Sequence, residues 1–345
     1  MSGLDQAGEQ VLRATLFMRH PRPGFYSIET VFRTVAAAFP AWVQADVVPS
    51  PFASRGVLSR LRSVLAARRA MRRSRADIAH VVGDEHFLVL GLPRKRTVLT
   101  VHDCDFLDGK PPLRRWLLWL FWIYLPVRAA AVVTTISERT RAELLALTDC
   151  APDHVRVIEN PLPAQFRTEP ARARPRPRVL HIGTKPNKNL GRLVEALKGV
   201  DADLTIVGRL SDEQRAQVDA LGGSVLNLVD IADDALVEAY REATMLAFVS
   251  TSEGFGMPII EAQAVGRPVL TSDRRPMSDV AGGAALLVDP EDTVAIRDGI
   301  KRLLGDRALR EALVAGGHAN VSRFDPALIA GRYAEIYAEL KAGKR

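Results

Sequence analysis

The sequence predicts an α/β protein of two domains, each built around a parallel, doubly wound sheet. Its 345 residues are too many for one ordinary domain and suit two. Short β-rich runs alternate with helical patterns, an order typical of parallel sheets. The alternation stops at residues 166–178, which are rich in proline and arginine, and then restarts. We therefore expect two similar halves joined by a linker.

The first domain is expected over residues 1–165, where short apolar runs precede helical patterns in turn. The candidate strands are Arg13–Met18, Val43–Val48, Ile78–Val82, Thr97–His102, Val132–Ile136 and Val155–Ile158. The candidate helices are Ile28–Phe39, Val57–Arg73, Leu113–Val127 and Glu138–Leu147.

The second domain is expected over residues 179–325 and repeats the same order. Its candidate strands are Val179–Ile182, Leu204–Val207, Val225–Leu228, Leu246–Val249, Pro268–Thr271 and Ala285–Val288. Its candidate helices are Leu190–Leu197, Asp212–Leu221, Asp234–Ala243, Pro258–Val265, Thr293–Leu304 and Leu309–Val321. A last helical pattern covers Pro326–Leu340.

The charge is distributed unevenly along the chain. Residues 1–165 contain 22 Lys and Arg against 15 Asp and Glu, whereas residues 166–345 contain 25 of each. The whole net charge of +7 therefore lies in the first half. Such a one-sided basic surface indicates an anionic partner, namely nucleic acid, acidic lipid headgroups or a lipid-linked phosphate.

Several classes of protein are excluded by simple features. The first ten residues lack the basic and apolar regions of a signal peptide, and no apolar run approaches the roughly 20 residues of a membrane-spanning helix. The two cysteines, Cys104 and Cys150, lack metal-ligand spacing, which favours a reducing compartment. We expect a cytoplasmic protein that does not span a membrane.

The most informative segment follows a buried apolar run and combines two glycines with two carboxylates. Gly254 and Gly256 allow close approach of the backbone to a ligand, and the helix expected to open at Pro258 offers free N–H groups to an anion. Glu253 and Glu261, with seven residues between them, are good acceptors for sugar hydroxyls. The segment therefore favours a nucleotide sugar over a bare nucleotide.

This segment resembles the E-x7-E signature of retaining family 4 glycosyltransferases, and its Glu-Gly-Phe-Gly-x-Pro core, with Phe255 and Met257, strengthens the resemblance. The resemblance implies the GT-B architecture, two Rossmann-like domains facing a cleft, with residues 326–345 returning to the first domain. It also implies that Glu253 holds the donor sugar and Glu261 the ribose hydroxyls. The backbone N–H groups of residues 254–256 would help to stabilise the departing diphosphate, and Phe255, Met257 and Pro258 would belong to the same donor-binding segment.

A second segment, after the first strand of the second domain, is suited to phosphate. Gly183 forms a turn and Lys188 provides a cation close to a helix start. The segment is similar to the family's diphosphate-binding loop, in which an arginine follows the glycine. Thr184 occupies that position here, and Lys185 is the candidate replacement. Asn187 and Asn189 would suit helix caps equally well.

The first domain offers fewer candidates. His102 ends a strand at the edge where open α/β sheets bind ligands, and the resemblance implies a place near the donor sugar. Asp103 and Asp105 match a D-x-D metal pattern, but the surrounding architecture is wrong for that fold and we expect no metal.

The loop after the first strand would line the cleft on the acceptor side. The family's glycine-rich loop is reduced here to Gly24, and Ser27 and Glu29 suit a helix cap. Ser137 also suits a cap and is assigned no chemistry.

A basic and aromatic surface is predicted in the first domain. Its residues are Arg60, Arg62, Arg68, Arg69, Arg72, Arg73, Arg75, Arg94, Lys95, Arg96, Arg114, Arg115, Trp116, Trp119, Phe121, Trp122 and Tyr124. Cations beside tryptophans suit contact with an anionic membrane surface, although for Trp119 and Trp122 a place in the core is also open.

Taken together, these residues predict a metal-independent retaining glycosyltransferase without a cofactor. Its donor would be GDP-mannose or a UDP-hexose and its acceptor a glycan or a lipid-linked molecule. We expect no nucleic-acid partner. Two alternatives remain open: a nucleotide-sugar enzyme of the same fold, such as an epimerase, and a basic nucleic-acid-binding protein.

Overall fold

Two six-stranded parallel sheets, one in each half of the chain, form the framework of the fold. The computed structural model describes residues 11–21, 27–169 and 175–343. The chain divides into a first unit, which contains residues up to Pro161 and from Pro326 onward, and a second unit from Leu162 to Asp325. Two doubly wound α/β units confirm the predicted fold class.

The first sheet has the strand order β2-β1-β3-β4-β5-β6. Its strands are β1 Leu12–Met18, β2 Val43–Pro49, β3 Ile78–Val81, β4 Thr97–Val101, β5 Val132–Thr135 and β6 Val155–Val157. The helices of this part are α1 Ser27–Ala37, α2 Gly56–Ser74, α3 Pro112–Leu118, α4 Leu125–Ala129 and α5 Glu138–Thr148. Every residue of β3, β4 and β5 is buried, as expected of parallel strands covered on both faces.

The helix predicted over Leu113–Val127 is interrupted. A π-helical turn, Trp119–Tyr124, lies between α3 and α4, and the N–H of Leu125 donates to the carbonyl of Leu120. Pro126 follows without an N–H of its own, so the regular hydrogen-bond pattern cannot continue through this point.

The second sheet has the strand order β12-β11-β10-β7-β8-β9. Its strands are β7 Arg178–Ile182, β8 Asp203–Val207, β9 Val225–Leu228, β10 Met245–Phe248, β11 Val269–Ser272 and β12 Leu286–Val288. Its helices are α6 Leu190–Leu197, α7 Asp212–Asp219, α8 Asp233–Glu242, α9 Met257–Val265, α10 Met277–Ala281, α11 Thr293–Gly305 and α12 Arg307–Asn320. The short helix α10 has too few residues for its period to be recognised in the sequence.

The last helix, α13 Pro326–Lys341, packs within the first unit. The hydroxyl of Tyr337 lies 2.7 Å from Nδ1 of His80 on β3, and Tyr333 packs against Phe32 of α1. Among the residues that the structure describes, no helix has the length and apolar character needed to cross a membrane.

Each sheet has one point where the direction of strand addition reverses. In the first sheet this point lies between β1 and β3, and in the second between β7 and β10. Loops that leave the carboxyl ends of two such strands diverge to opposite faces and open a crevice, where α/β sheets bind their ligands. The loops after β7 and β10 contain the two segments singled out from the sequence.

Candidate functional site

Lys188 and Glu253 meet at the reversal point of the second sheet. Nζ of Lys188, in the loop after β7, lies 2.6 Å from Oε1 of Glu253, in the loop after β10. The side chains are only 18% and 12% exposed, and the ammonium also lies 4.8 Å from the ring centre of Phe248. Two residues that are 65 positions apart in the chain thus form one partly desolvated ion pair.

Gly183 makes room for this lysine. Its φ of +92° lies in the region that L side chains rarely adopt. A Cβ added at this position would lie 2.9 Å from Cε of Lys188. The lysine side chain therefore passes directly over the glycine, which explains why a glycine precedes the lysine in this segment.

The two asparagines of this loop act differently from the predicted helix caps. Nδ2 of Asn187 donates to the carbonyl of Ser252 at 2.8 Å. Nδ2 of Asn189 donates to the carbonyls of Val249, at 3.0 Å, and Pro290, at 2.6 Å. Asn189 occupies the N-cap position of α6, but its side chain makes no capping hydrogen bond, because its backbone is left-handed with a φ of +62° and its Oδ1 accepts from Nη1 of Arg192 at 3.0 Å. The asparagines instead hold the loops after β7 and β10 together.

The glycine-bearing loop leads into α9, which begins at Met257 with Pro258 as its second residue. Gly256 precedes the helix with a φ of +116°, and Phe255 packs edge-on against Phe324 at 5.8 Å. A helix start is a site of positive potential; in α9, Pro258 has no N–H and the N–H of Ile259 donates to the carbonyl of Gly256 at 3.0 Å. This helix start follows the same loop as Gly254 and Glu253.

Glu261 is buried in the second turn of α9, and its partner was not foreseen. The hydroxyl of Tyr240, on α8, donates to Oε2 of Glu261 at 2.6 Å. The pKa of Glu261 is raised to about 7: burial raises it most and Asp233 adds to the rise, while the hydrogen bond from Tyr240 and the charge of Lys188 lower it. Nothing in the sequence connects Tyr240 with Glu261, because the pair forms only when α8 packs against α9.

Thr184 and Lys185 differ in their surroundings. The hydroxyl of Thr184 donates to the carbonyl of Arg209 at 2.7 Å, which joins the loops after β7 and β8. Lys185 is exposed. The neighbouring Arg209, paired with Asp230, is a cation at the same sheet edge that the sequence reasoning missed. Its signal was the Gly208-Arg209 step directly after an apolar run.

His102 follows β4 in the first unit and is almost fully buried. Its Nε2 lies 2.9 Å from the carbonyl of Val82, and the ring packs edge-on against Phe32. Because a carbonyl only accepts, Nε2 carries the proton and Nδ1 has the free lone pair. Burial lowers the pKa of His102 to about 4, so the ring is neutral at physiological pH.

The reversal point of the first sheet holds a different cluster. Arg19, after β1, donates through Nε and Nη2 to both oxygens of Glu29, at 2.7 and 3.0 Å, and lies 3.4 Å from Asp84, after β3. A Cβ at Gly83 would lie 2.7 Å from the backbone nitrogen of Arg19. Sequence reasoning assigned Glu29 to a helix cap and missed this cluster.

In the part of the chain that the structure describes, the remaining candidates of the first unit show no sign of a binding role. Gly24 lies outside the described residues, and Ser27 is the first residue of α1. Ser137 caps α5 as predicted, accepting from the N–H of Thr140 at 3.2 Å. Asp105 pairs with Arg139 at 3.3 Å. Within the described ranges no three His, Cys, Asp or Glu side chains are grouped as metal ligands.

The basic helix α2 combines exposed arginines with exposed apolar side chains. The exposed arginines are Arg62, Arg68, Arg69, Arg72 and Arg73. The exposed apolar residues of α2 are Val57, Leu58, Leu61 and Leu65. An apolar pocket beside α2, at the carboxyl ends of β1 and β2, is lined in part by Met18, Pro49, Ala66 and Ala70.

The aromatic residues of this region divide into two groups. Trp116 and Phe121 are exposed, by 52% and 41%. Trp119 and Trp122 pack against the core, and their ring nitrogens donate to backbone carbonyls at 2.8 and 3.0 Å. For these two, the core interpretation is confirmed.

Comparison with known families covers most of the chain. The model of glycosyltransferase family 4 matches residues 4–166, and the model of glycosyl transferases group 1 matches residues 176–306. The first model thus spans the part that contains His102, and the second spans Lys188, Glu253 and Glu261.

Two named relatives are mannosyltransferases. The chain is 34% identical over 172 residues to the phosphatidyl-myo-inositol mannosyltransferase of Mycobacterium leprae, a match covering 46% of each chain. It is 28% identical over 254 residues to the O-antigen chain mannosyltransferase B of Escherichia coli, covering 67% of each. The matched segment thus spans about half the length of the mycobacterial relative.

Solved structures share the fold at low sequence identity. Sucrose-phosphate synthase from Thermosynechococcus elongatus superposes with a TM-score of 0.80 at 18% identity, covering 96% of this chain and all of the other. Anabaena HepE, in complex with UDP and glucose, superposes with a TM-score of 0.75 at 18% identity, covering 94% and 99%. These likenesses show the two-domain GT-B fold alone.

Proposed function

The chain belongs to the family 4 glycosyltransferases, and from that premise we propose that it transfers a hexose from a nucleotide diphosphate sugar to a glycan or lipid-linked acceptor. The observation that carries the proposal is the pairing of Lys188 with Glu253 at the reversal point of the second sheet. Glu261 lies in the helix that follows the same loop. A cation for a diphosphate and two acceptors for hydroxyls are therefore concentrated at one sheet edge.

Each of these residues has a chemical task in the proposed reaction. Glu253 accepts hydroxyls of the donor sugar, and Glu261 accepts those of the ribose. Lys188 donates to the departing diphosphate, whose negative charge grows as the glycosidic bond breaks. The N–H groups at the start of α9 contribute positive potential to the same phosphates. The ion pair with Glu253 holds the ammonium in place before the donor arrives.

The proposed reaction retains the anomeric configuration. The resemblance to retaining family 4 enzymes favours attack by the acceptor hydroxyl on the face from which the diphosphate departs, and the carboxylate beside Lys188, that of Glu253, is engaged in the ion pair. The acceptor oxygen bonds to the anomeric carbon, the bond to the diphosphate oxygen breaks, and a phosphate oxygen takes the hydroxyl proton. Because Lys188 and the helix N–H groups offset the phosphate charge, the proposal requires no metal ion.

We propose two candidate donors, GDP-mannose and a UDP-hexose. The relatives named as mannosyltransferases favour a mannose donor such as GDP-mannose. The structure of HepE with UDP and glucose keeps a UDP-hexose open. Thr184, Lys185 and Arg209 lie at the sheet edge that would hold the phosphates, and their contributions belong to the same proposal.

The first unit would serve the acceptor and a membrane surface. Neutral His102 offers Nδ1 as a hydrogen-bond acceptor for a hydroxyl of the donor sugar, the role that the family resemblance implies. The exposed arginines and apolar side chains of α2 are arranged as in interfacial helices that bind anionic lipid. The apolar pocket beside α2 supports an acceptor with a lipid part.

A turnover assay tests the proposed function. The full chain is incubated with GDP-mannose or UDP-glucose and with vesicles of bacterial polar lipids, and released GDP or UDP is measured together with the mass of the lipid products. We expect one nucleoside diphosphate to be released and a lipid product heavier by one hexose. Epimerised nucleotide sugar without transfer would support the alternative enzyme class.

A further inference from the structure

Tyr240 is a buried residue whose hydroxyl contacts a carboxylate of the proposed donor site. Resting on the proposed function, we propose that Tyr240 is a positioning residue for donor binding. Its hydroxyl holds one oxygen of Glu261, so that the other oxygen is presented to the ribose of the nucleotide sugar. Tyr240 does not itself contact the donor in this proposal.

The geometry of the pair supports this division between the two oxygens. Tyr240 is fully buried and Glu261 is 8% exposed, and the hydroxyl donates to Oε2 at 2.6 Å. A buried carboxylate without a hydrogen-bond partner is strongly unfavourable. Since a phenol has one proton to donate, it satisfies one oxygen of Glu261 and leaves Oε1 for another donor.

The phenol is held from several sides. Its ring packs edge-on against Phe166 at 5.6 Å, and its backbone carbonyl accepts from Nε of Arg267 at 3.1 Å. Arg267 is itself buried and also donates to the carbonyl of Arg241 at 2.9 Å. The end of α8 is therefore anchored to the chain that follows α9, and the direction of the Tyr240 hydroxyl is set by both helices.

The charges around Glu261 make the contact sensitive to pH. Tyr240 and Asp233 face it from α8, and Lys188 faces it from the loop after β7. On α12, His318 lies beside Gly266, at the other end of α9. The pKa of Glu261 is raised to about 7, chiefly by burial, and would be higher still without the hydrogen bond from Tyr240. Removing the hydroxyl therefore raises the pKa further and leaves more of the acid protonated at neutral pH.

The expected consequence is a pH-dependent loss of donor affinity. The ionised carboxylate accepts the ribose hydroxyls, so donor affinity falls as pH falls through the pKa of Glu261. In Tyr240→Phe the midpoint of this fall moves up by about one pH unit, as expected for a lost hydrogen bond to a charged group. The ionised fraction of Glu261 at pH 7 then falls from about a half to about a tenth, so the dissociation constant at pH 7 rises about fivefold. The loss should shrink at pH 9, where the carboxylate is restored.

Calorimetric titration of the full chain with GDP-mannose and with UDP-glucose between pH 6 and pH 9 tests the proposal. Glu261→Gln removes the ionisable group, so adding Tyr240→Phe to it should change neither the midpoint nor the shape of the pH profile. Tyr333→Phe, a buried tyrosine of the first unit, is the matched control and should leave the profile unchanged. Thermal unfolding shows that each variant is folded.

Three outcomes distinguish the positioning role of Tyr240 from the proposed transferase function. A midpoint shift in Tyr240→Phe that disappears in the Glu261→Gln background supports the positioning role. An unchanged midpoint, or a loss that is equal at every pH, overturns that role while the proposed function stands. Binding of neither nucleotide sugar by the wild type overturns the proposed function and the positioning role together.

Discussion

The two units are built on sheets of equal strand number, yet they differ in what lies at the reversal point. In the second unit, the loops after β7 and β10 bring a lysine and a glutamate into contact. In the first unit, the equivalent point holds Arg19 between Glu29 and Asp84, and the predicted His102 follows a strand further along the sheet. Sheets of the same strand number therefore carry different residues at this point: a lysine and a glutamate proposed to bind the donor in the second unit, and an arginine paired with two acids in the first.

The units also differ in how their charge is arranged. The second half of the chain is neutral in sum, and its cation Lys188 is largely buried beside an acid. The first half carries the excess positive charge, and much of it is exposed on α2. From this contrast we expect the second unit to bind the donor and the first to bind an anionic surface. Each of the following experiments tests one of these two expectations.

The largest effect is expected from α2. Replacing its arginines with glutamine should abolish binding to anionic vesicles, because each contributes about 1 kcal/mol near such a surface and four amount to roughly a thousandfold in partition. The replaced residues are Arg68, Arg69, Arg72 and Arg73. Co-sedimentation with anionic and neutral vesicles measures the loss. Wild-type binding should also weaken with salt, because the Debye length falls from about 10 Å at 0.1 M to about 3 Å at 1 M.

A matched control removes the same number of charges from the second unit. The exposed cations for this purpose are Lys198, Arg215, Lys301 and Arg302. Vesicle binding should persist in this control, and donor affinity should be unchanged in both variants. Equal sedimentation of wild type and the α2 variant would refute the membrane role, and tight binding of duplex DNA by the wild type alone would assign α2 to nucleic acid.

The next effect concerns Lys188. Lys188→Ala should lower kcat roughly a hundredfold or more, as expected when one donor that stabilises developing charge is removed. The exposed Lys198, paired with Glu195 on the surface, is the control, and Lys198→Ala should retain full kcat. Steady-state kinetics with the active donor measures both. A normal kcat in Lys188→Ala would remove the diphosphate role from this residue.

A smaller effect is expected from Glu261. Glu261→Ala should weaken donor binding by about 1–3 kcal/mol, because ribose hydroxyls in a buried site lose their acceptor. Calorimetry measures the change, with Glu311→Ala, on the exposed face of α12, as control. Donor affinity equal to wild type in Glu261→Ala would contradict the assignment of the ribose to this carboxylate.

No effect is expected from chelation. Transfer should proceed at the same rate in EDTA, because the diphosphate charge is offset by Lys188 and by helix N–H groups. Initial rates with and without EDTA, followed by Mg²⁺ or Mn²⁺, check this. Activity that disappears with the chelator and returns with the metal would bring Asp103 and Asp105 back as ligands.

Sequence reasoning succeeded where local pattern decides and failed where tertiary packing decides. Within the described part of the chain, each of the twelve predicted strands lies within one residue of its predicted bounds, because apolar β-rich runs alternate regularly with helical patterns. The segments that contain Gly183 and Glu253 could be recognised because their glycines indicate a turn or the close approach of a ligand to the backbone. Tyr240 had no comparable signal, since its partner is 21 positions away on another helix.

Asn187 and Asn189 also show that tertiary contacts can override a local preference. Capping propensity favoured Asn187 and Asn189 at a helix start, yet neither side chain caps α6. Their amide protons go to carbonyls of the neighbouring loops, and Oδ1 of Asn189, the atom that would cap the helix, accepts from Arg192. Similarly, Arg19 and Asp84 are 65 positions apart and meet only because β1 and β3 pair.

The central claim is that the donor binds at the reversal point of the second sheet. Hydrogen–deuterium exchange of the full chain, with and without GDP-mannose or UDP-glucose, tests it most directly. We expect donor-dependent protection of residues 183–190 and 252–261, with α2 unchanged. Protection that appears only in the first unit, at Arg19 and the residues after β3, would show that the donor does not bind at this point of the second sheet.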